Sequence, residues 1–331
     1  MNLSTSYLGF NLRNPIIIGA SPLTLDAESI AKCEQAGAGA VVLKSLFEEQ
    51  INEDTATLSN MLMSQENMHA EVYEYLEASI GMRYGTRNYL DIVKSAKDQV
   101  DIPVIASINC VESEWWKDFA QEVVAAGADA LELNIAIQAT NPLAASEDIE
   151  QQYLDVVAVA REAIDKPVAV KIGPHFSNIP SMVARLAGAG ADACVLFNRF
   201  WCPDIDIEDE DIVLGETESA HAEMAMTLRW IAMLSGRVRC QLGAATGIHT
   251  GEDVIRMLLA GADTAQVVTA PLTEGRECIR EMLDTIEAWM ERKGYTGIDD
   301  FKGNVSQVRQ PESQELFTRT QYMDAMGTRW G

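Results

Sequence analysis

Short, uninterrupted hydrophobic runs recur along the chain, and each follows a phrase of small residues. The runs close the segments AGAGAVVLK (36–44), AGADALELN (126–134) and AGADACVLFN (189–198). In each segment a glycine suits the left-handed end of a helix, and its small neighbours let that helix pack closely on the strand that follows. Runs without polar alternation are typical of parallel strands that are buried on both faces. The repeated phrase therefore predicts repeated β-α units.

Eight such units can be counted. The strands are predicted near Pro15–Ile18, Ala40–Leu43, Val104–Ala106, Ala130–Leu133, Val168–Val170, Ala193–Phe197, Gln241–Ala244 and Thr264–Val268. Helical patterns separate them, for example at Glu114–Ala126, Ile149–Ile164, Asn178–Ala189, Ala220–Ser235, Gly251–Ala260 and Gly275–Lys293. Eight units predict an α/β protein with a (β/α)8 TIM barrel. An open, doubly wound sheet is the alternative, but no G-x-G-x-x-G sequence follows the first strand.

Two segments lie outside the regular units. Residues 47–87 form an insertion after the second strand that is much longer than a usual β-α loop, and we expect a lid or an interface arm there. The barrel is predicted to span 1–293, with 294–331 as a C-terminal tail that packs on the barrel or on a partner subunit. The acidic run Asp204–Asp211 is expected to be a solvated loop beside the mouth of the barrel.

The overall charge narrows the range of ligands. Among 331 residues there are 25 Lys and Arg against 50 Asp and Glu, a formal net charge of −25. That field repels a phosphate backbone, so nucleic acid is not an expected partner. An anionic small molecule needs a pocket with its own positive side chains or backbone N–H groups.

The cysteines, the histidines and the N-terminus also limit the function classes. The six cysteines include no C-x-x-C pair and the four histidines share no metal-ligand spacing, so we predict reduced thiols and no metal site. The N-terminus lacks a signal-peptide pattern, and the sequence lacks the run of about 20 apolar residues that a membrane span needs. We therefore expect a soluble cytoplasmic protein that does not associate with a membrane.

Polar residues stand at the ends of five predicted strands. They are Lys44, Ser107, Asn134, Lys171 and Asn198. In a (β/α)8 barrel the carboxyl ends of the strands carry the active site, whereas at an ordinary turn such residues would only favour the bend. A lysine that points inward needs an anion, because an unpaired buried ammonium is costly. We therefore predict an anion-binding site at this end of the barrel.

Small residues at the last two strand ends give a second signal. They are Gly243, Ala245, Thr246 and Gly247 near the end of the seventh strand, and Thr269 and Ala270 after the eighth. In barrels these two connections often bind a phosphate through backbone N–H groups, although a tight β-α turn has the same composition. The sequence thus predicts a phosphorylated ligand.

Several segments together resemble one known family. They are YLGFNLRNPIIIGASP, VVLKS, LELN, VAVKI, VLFN and GAATGIHTGEDVIRMLLAGADTAQVVTAPLTEG. Over about Tyr7–Gly275 the chain resembles the class 1 dihydroorotate dehydrogenases and the related catalytic domain of dihydropyrimidine dehydrogenase, which are FMN-binding (β/α)8 barrels. The resemblance implies an FMN-dependent oxidoreductase that transfers hydride between a small, planar, anionic substrate and flavin. It also implies a homodimer, and dihydroorotate oxidation in pyrimidine biosynthesis as a candidate reaction.

The resemblance assigns roles to individual residues. It implies that Ala20 and Ser21 lie along the flavin, that Lys44 and Lys171 bond the isoalloxazine and ribityl oxygens, and that Asn134 and Asn198 face flavin and substrate. The implied phosphate-binding residues are Gly243, Ala245, Thr246, Gly247, Thr269 and Ala270. The candidate catalytic residues are Lys44, Asn134, Asn198 and Cys202, and the candidate substrate-binding residues are Asn134, Asn198, Arg199 and Ser79.

The chain departs from the family pattern on the substrate side. The family has Leu-Ser-Cys-Pro-Asn after the asparagine of the fourth strand, but here Ile137 replaces the Cys base and Ala139 replaces a substrate-binding Asn. Isoleucine cannot accept a proton. A base would have to come from elsewhere, for example Cys202 or Cys110, whereas Arg199 would bind a substrate carboxylate.

Two other hypotheses stay open. In the first, Lys44 or Lys171 is the Schiff-base lysine of an aldolase barrel that binds a sugar phosphate. In the second, the chain is a flavin-binding subunit without its own dehydrogenase activity, and its electrons pass to a separate partner chain. Flavin absorbance would favour either flavin hypothesis, whereas trapping of a carbonyl substrate by borohydride would favour the aldolase.

Overall fold

The computed structural model describes residues 1–47, 87–109, 113–200 and 203–310. In chain order its strands are β1 (Thr5–Tyr7), β2 (Phe10–Leu12), β3 (Ile16–Ile18), β4 (Ala40–Val42), β5 (Leu46–Phe47), β6 (Val104–Asn109), β7 (Ala130–Asn134), β8 (Val168–Ile172), β9 (Ala193–Leu196), β10 (Pro203–Asp206), β11 (Asp211–Leu214), β12 (Gln241–Ala244) and β13 (Thr264–Val267). The strands β3, β4, β6, β7, β8, β9, β12 and β13 pair in parallel in that order. Pairing of β13 with β3 closes the ring, which confirms the predicted (β/α)8 barrel.

Helices surround the ring and alternate with its strands. They are α1 (Ala27–Ala36), α2 (87–99), α3 (Ser113–Ala125), α4 (Ser146–Ala163), α5 (Ile179–Ala189), α6 (Met224–Leu234), α7 (Gly251–Ala260), the short α8 (Thr269–Thr273) and α9 (Cys278–Lys293). The helices α1, α5 and α7 end at glycines with φ near 110°, namely Gly37, Gly190 and Gly261. The left-handed helix ends expected from the small-residue phrase are therefore present.

The barrel interior is small and is closed at one end by the N-terminal hairpin. Alanines that point inward, such as Ala130, Ala169 and Ala193, pack with Tyr7 of β1, Leu12 of β2 and Leu8 of the turn between them. The hairpin is also bonded to the beginnings of strands: the N–H of Leu8 donates to Oε1 of Gln241 over 2.7 Å. Because the hairpin covers the end at which the strands begin, the open mouth lies at their carboxyl ends.

The acidic run Asp204–Asp211 differs from its expected form. It is solvent-exposed, as expected, but it is not an irregular loop. Strands β10 and β11 pair in antiparallel register, with Asp206 opposite Asp211, and Glu210 takes a positive φ of 52° in the turn. Isoleucines alternate with the acids, and this period of two favours a strand over a loop.

The described part of the C-terminal segment, residues 294–310, lies against the outer helices. Phe301 is fully buried, with its ring centroid 4.9 Å from that of Trp289 and 5.4 Å from that of Tyr295. The predicted insertion 47–87 lies outside the described residues, apart from its two end positions. None of the described helices has the length and apolar character needed to cross a bilayer.

Candidate functional site

Three of the predicted strand-end residues meet at the mouth of the barrel. Asn134 on β7 is in register with Lys171 on β8, and Nδ2 of Asn198, after β9, donates to Oδ1 of Asn134 over 2.8 Å. Lys171 is buried, and its Nζ donates to Oε1 of Gln266 on β13 over 2.9 Å. The parallel strands therefore bring an ammonium and two amides together from sequence positions far apart.

The rim continues from Asn134 toward the second barrel strand. Nδ2 of Asn134 lies 3.5 Å from Oγ of Ser45, at the limit of a hydrogen bond, and Ser45 bonds to Oγ of Ser107 over 2.8 Å. Lys44 is half-buried beside this row. The sequence had indicated Ser107 and Lys44 but not Ser45, which joins Ser107 to Asn134.

A pocket of about 200 Å³ opens beside Lys171. Its lining includes Ala20, Lys171, Asn198, Arg199, Ala245, Thr246, Gly247 and Thr269, all predicted as site residues, together with Phe197, Thr217, Ser219, Ile248, Gln266 and Val268. The other predicted cofactor-binding residues do not line it: Ser21, Lys44, Asn134, Gly243 and Ala270. Ser21 is buried and caps a short 3-10 turn, Gly243 faces Tyr7 deeper in the barrel, and Ala270 is buried in α8.

One wall of the pocket is a tight turn after β12. Thr246 and Gly247 both have φ of 74°, and the Thr246 hydroxyl donates to the carbonyl of Phe197 over 2.8 Å. The Gly247 N–H lies 3.3 Å from the Ser219 hydroxyl, which is 2.9 Å from Oγ1 of Thr269. The Gly247 N–H and the hydroxyls of Ser219 and Thr269 therefore form one hydrogen-bonded row along the pocket. The sequence reasoning missed Ser219, which no motif singles out.

A Cβ atom on Gly247 would clash with the backbone that packs against this turn. It would lie 2.5 Å from the Met224 backbone nitrogen and 3.0 Å from the Ala220 carbonyl oxygen. Both neighbours are backbone, so they cannot rotate away as a side chain can. The position therefore requires glycine for its space as well as for its φ.

A buried carboxylate lies behind Lys171. Glu132 on β7 is 1% exposed, and its Oε2 accepts from Nε2 of Gln266 over 2.5 Å. Burial raises the pKa of Glu132, while the Lys171 charge and the Gln266 hydrogen bond act to lower it. Lys171, Gln266 and Glu132 form a continuous bridge across the barrel interior. The sequence reasoning named neither Glu132 nor Gln266.

The residues predicted to bind or act on the substrate form a less complete site than those predicted to bind the cofactor. Nε of Arg199 donates to both oxygens of Glu223, over 3.0 and 3.2 Å, so the guanidinium already has a carboxylate partner. Ile137 is half-buried against the core, and its N–H donates to the hydroxyl of Tyr153 over 3.3 Å. Cys202 and Ser79 lie outside the described residues.

Comparison with known proteins shows which family the chain belongs to. The family model described as dihydroorotate dehydrogenase matches residues 2–290. The chain belongs to the dihydroorotate dehydrogenase family. Members of this family are FMN-dependent oxidoreductases that act on CH–CH bonds, so the predicted family and enzyme class are confirmed.

Three curated relatives in the dihydroorotate dehydrogenase family carry one name, dihydroorotate dehydrogenase B (NAD(+)), catalytic subunit. The protein from Pyrococcus furiosus is 26% identical over 93% of this chain and 100% of its own length. The protein from Thermoplasma acidophilum is 26% identical over 91% and 98%, and that from Methanosarcina acetivorans is 27% identical over 89% and 93%. The likeness covers the whole barrel at low identity.

Proposed function

We propose that this chain binds FMN at the mouth of the barrel and transfers hydride between the flavin and a small, planar, anionic substrate. The observation that carries the proposal is the pocket that joins the buried Lys171 ammonium to the turn at Gly247. An anionic cofactor needs local positive groups in a protein whose net charge is −25. Lys171 and the backbone N–H of the turn supply them.

The residues present fit FMN in two separate places. At Gly247 the lack of a Cβ lets the turn pack closely on the Met224 backbone, and the Gly247 N–H lies beside the hydroxyls of Ser219 and Thr269, which can donate to a phosphate. At the other side, Lys171 has three N–H donors and uses one for Gln266 among the described residues. The remaining donors can stabilise negative charge on a flavin ring, for which Lys171 is suited by its burial.

FMN, when bound, supplies a hydride acceptor. The chain's own residues bind and orient it: Thr246, Gly247, Ser219 and Thr269 would hold its phosphate, and Lys171 its ring. Asn134 and Asn198, joined by their 2.8 Å hydrogen bond, present amide groups that can orient a planar substrate. Arg199 would bind a substrate carboxylate in competition with Glu223.

Dihydroorotate is the first substrate to test, because the names of the relatives include it. Ile137 occupies the position of the family's Cys base and offers no proton acceptor, so this substrate would need a base from another part of the rim. Because of this departure, we retain a second candidate function, in which the chain is a flavin-binding subunit that passes electrons to a partner chain. The word "subunit" in the relatives' names agrees with a partner. The predicted homodimer and cytoplasmic location stay predictions.

Two measurements test the proposal in sequence. The purified chain, stripped of any bound ligand, is titrated with FMN and followed by flavin absorbance and fluorescence. Saturable one-to-one binding is expected, and no binding would reject the proposal. The loaded protein is then assayed for dihydroorotate oxidation with a dye acceptor; turnover no faster than that of free FMN rejects this substrate and favours the electron-carrier candidate.

A substitution separates the two candidate functions. Ile137→Cys places a thiol at the position of the family's base, and Ile137→Val is the matched control without a proton acceptor. If the rest of the substrate site is intact, only the Cys variant should gain dihydroorotate turnover, with a rise of at least tenfold. Equal rates in both variants would show that the missing base is not what separates this chain from its relatives.

A further inference from the structure

The bridge inside the barrel consists of one cation, one amide and one acid. Lys171 donates to Oε1 of Gln266 over 2.9 Å, and Nε2 of Gln266 donates to Oε2 of Glu132 over 2.5 Å. All three side chains are buried, with 9%, 3% and 1% of their surface exposed. Lys171 and Gln266 line the pocket, but Glu132 does not. The acid therefore lies one side chain away from the site.

Glu132 determines which way the Gln266 amide points. An ammonium can only donate hydrogen bonds, so Lys171 requires the oxygen end of the amide. The acid accepts a hydrogen bond from the nitrogen end, and this contact holds that orientation. If Glu132 could not accept, the amide could turn its NH2 group toward Lys171 and displace the ammonium.

Glu132 has little structural reason to be where it is. Its second oxygen, Oε1, is buried without a hydrogen-bond partner among the described residues. Burial raises the pKa of the Tyr7 and Tyr89 phenols, and the charge of Glu132 raises it further, so both phenols stay neutral. A buried polar atom without a partner costs free energy that an apolar side chain would avoid. The contact that remains is the one to Lys171 through Gln266.

We propose that Glu132 is a positioning residue, which acts through Gln266 to hold the Lys171 ammonium at the pocket and to offset part of its charge. The inference rests on the proposed function, because its consequence is a property of bound FMN. Reduced flavin carries more negative charge than oxidised flavin, so the net positive charge near the ring sets the reduction potential. Glu132 lowers that potential without touching the flavin.

The decisive variant is Glu132→Gln, which keeps an acceptor oxygen for Gln266 and removes the charge. The two-electron potential of FMN bound to this variant is measured at pH 8 against reference dyes, with protein in excess over FMN. We expect affinity for reduced over oxidised FMN to rise about tenfold, which corresponds to about 30 mV upward. Glu28→Gln removes an equal charge from the exposed side of α1 and should leave the potential unchanged.

Two further variants test the route through Lys171. Glu132→Leu removes the acceptor as well as the charge, and FMN affinity should fall at least tenfold, whereas Glu132→Gln should stay within about threefold of the unmodified protein. In a Lys171→Met background the buried acid loses the cation that acts to lower its pKa, and its charged form is disfavoured. Glu132→Gln should then shift the potential much less than it does alone.

The outcomes distinguish this inference from the proposed function. If the unmodified chain does not bind FMN, the proposed function fails first. If it binds FMN and Glu132→Gln leaves the potential unchanged or lowers it, or shifts it equally with and without Lys171, only the role of Glu132 is rejected. Should Glu132→Leu fail to fold, the potential of the isosteric Glu132→Gln variant still tests the role of Glu132.

Discussion

Gly247→Ala tests whether the close packing of the turn after β12 holds the Gly247 N–H at a phosphate site. Gly247 and Gly294 have the same φ of 74°, but a Cβ on Gly247 would lie 2.5 Å from the Met224 nitrogen, whereas one on Gly294 would meet nothing within 4 Å. Alanine at Gly294 should cost about 1–2 kcal/mol of unfolding free energy from the left-handed backbone alone. At Gly247 the clash with backbone adds about 1–3 kcal/mol, for a total of about 2–5 kcal/mol.

The two alanine variants are compared by urea unfolding of the FMN-free protein and by FMN titration. Movement of the turn should displace the Gly247 N–H, so Gly247→Ala should weaken FMN binding at least tenfold, or about 1.4 kcal/mol. Gly294→Ala, at the far end of α9, should leave FMN affinity unchanged. If both variants lose the same stability and bind FMN equally well, the turn does not form the phosphate site.

Three further predictions concern charge. Lys171→Met should weaken FMN binding about 10- to 100-fold through loss of a charged hydrogen-bond donor, while Lys32→Met on the exposed face of α1 should not; equal affinity in a fluorescence titration would contradict this. Burial raises the pKa of Glu132, so its contribution to folding is present below its ordinary pKa of about 4.3 and is lost as the pH rises toward the folded value. In urea unfolding of the FMN-free protein, Glu132→Gln should therefore gain stability relative to the unmodified chain between about pH 5 and 8. Burial acts to raise the pKa of Asp253, but hydrogen bonds at the start of α7 outweigh it and lower the pKa. Asp253→Asn should lower the unfolding free energy by about 0.5–2 kcal/mol at pH 7, and this difference should shrink as the pH falls below about 4. A difference that does not change with pH would show that the charge of Asp253 does not stabilise the start of α7.

The sequence predicted the barrel well because one physical pattern repeats. A strand buried on both faces reads as a continuous apolar run, and the glycine before it ends the preceding helix, as at Gly37 and Gly190. Strand ends were equally readable, since Lys171 and Asn134 interrupt apolar runs where a turn begins. The site residues at these positions follow from the parallel register, which brings all carboxyl ends of the strands to one edge.

The contacts between strands could not be read in the same way. The hydrogen bond from Gln266 to Glu132 joins residues 134 positions apart, and no local spacing records it. The hydroxyl of Ser219 comes from a connection without regular structure and reaches the Gly247 turn only in the folded chain. The hairpin β10–β11 was not predicted, because its run of acids indicates a solvated loop while the isoleucines that alternate with them indicate strands.

Yet the inward side chains do share a signal, which lies in their spacing along each strand. Ala130 packs inside the barrel, and Glu132 and Asn134 follow it at intervals of two, while Leu131 and Leu133 pack outward against the helices. On β13, Ala265 and Val267 likewise face outward and Gln266 faces inward. Side chains two apart on a strand point to the same face, so a polar residue two positions before a strand-end site residue must point into the barrel. Glu132 was therefore identifiable as interior from the sequence; what required the structure was its partner, because closure of the ring alone sets which strand's amide it meets.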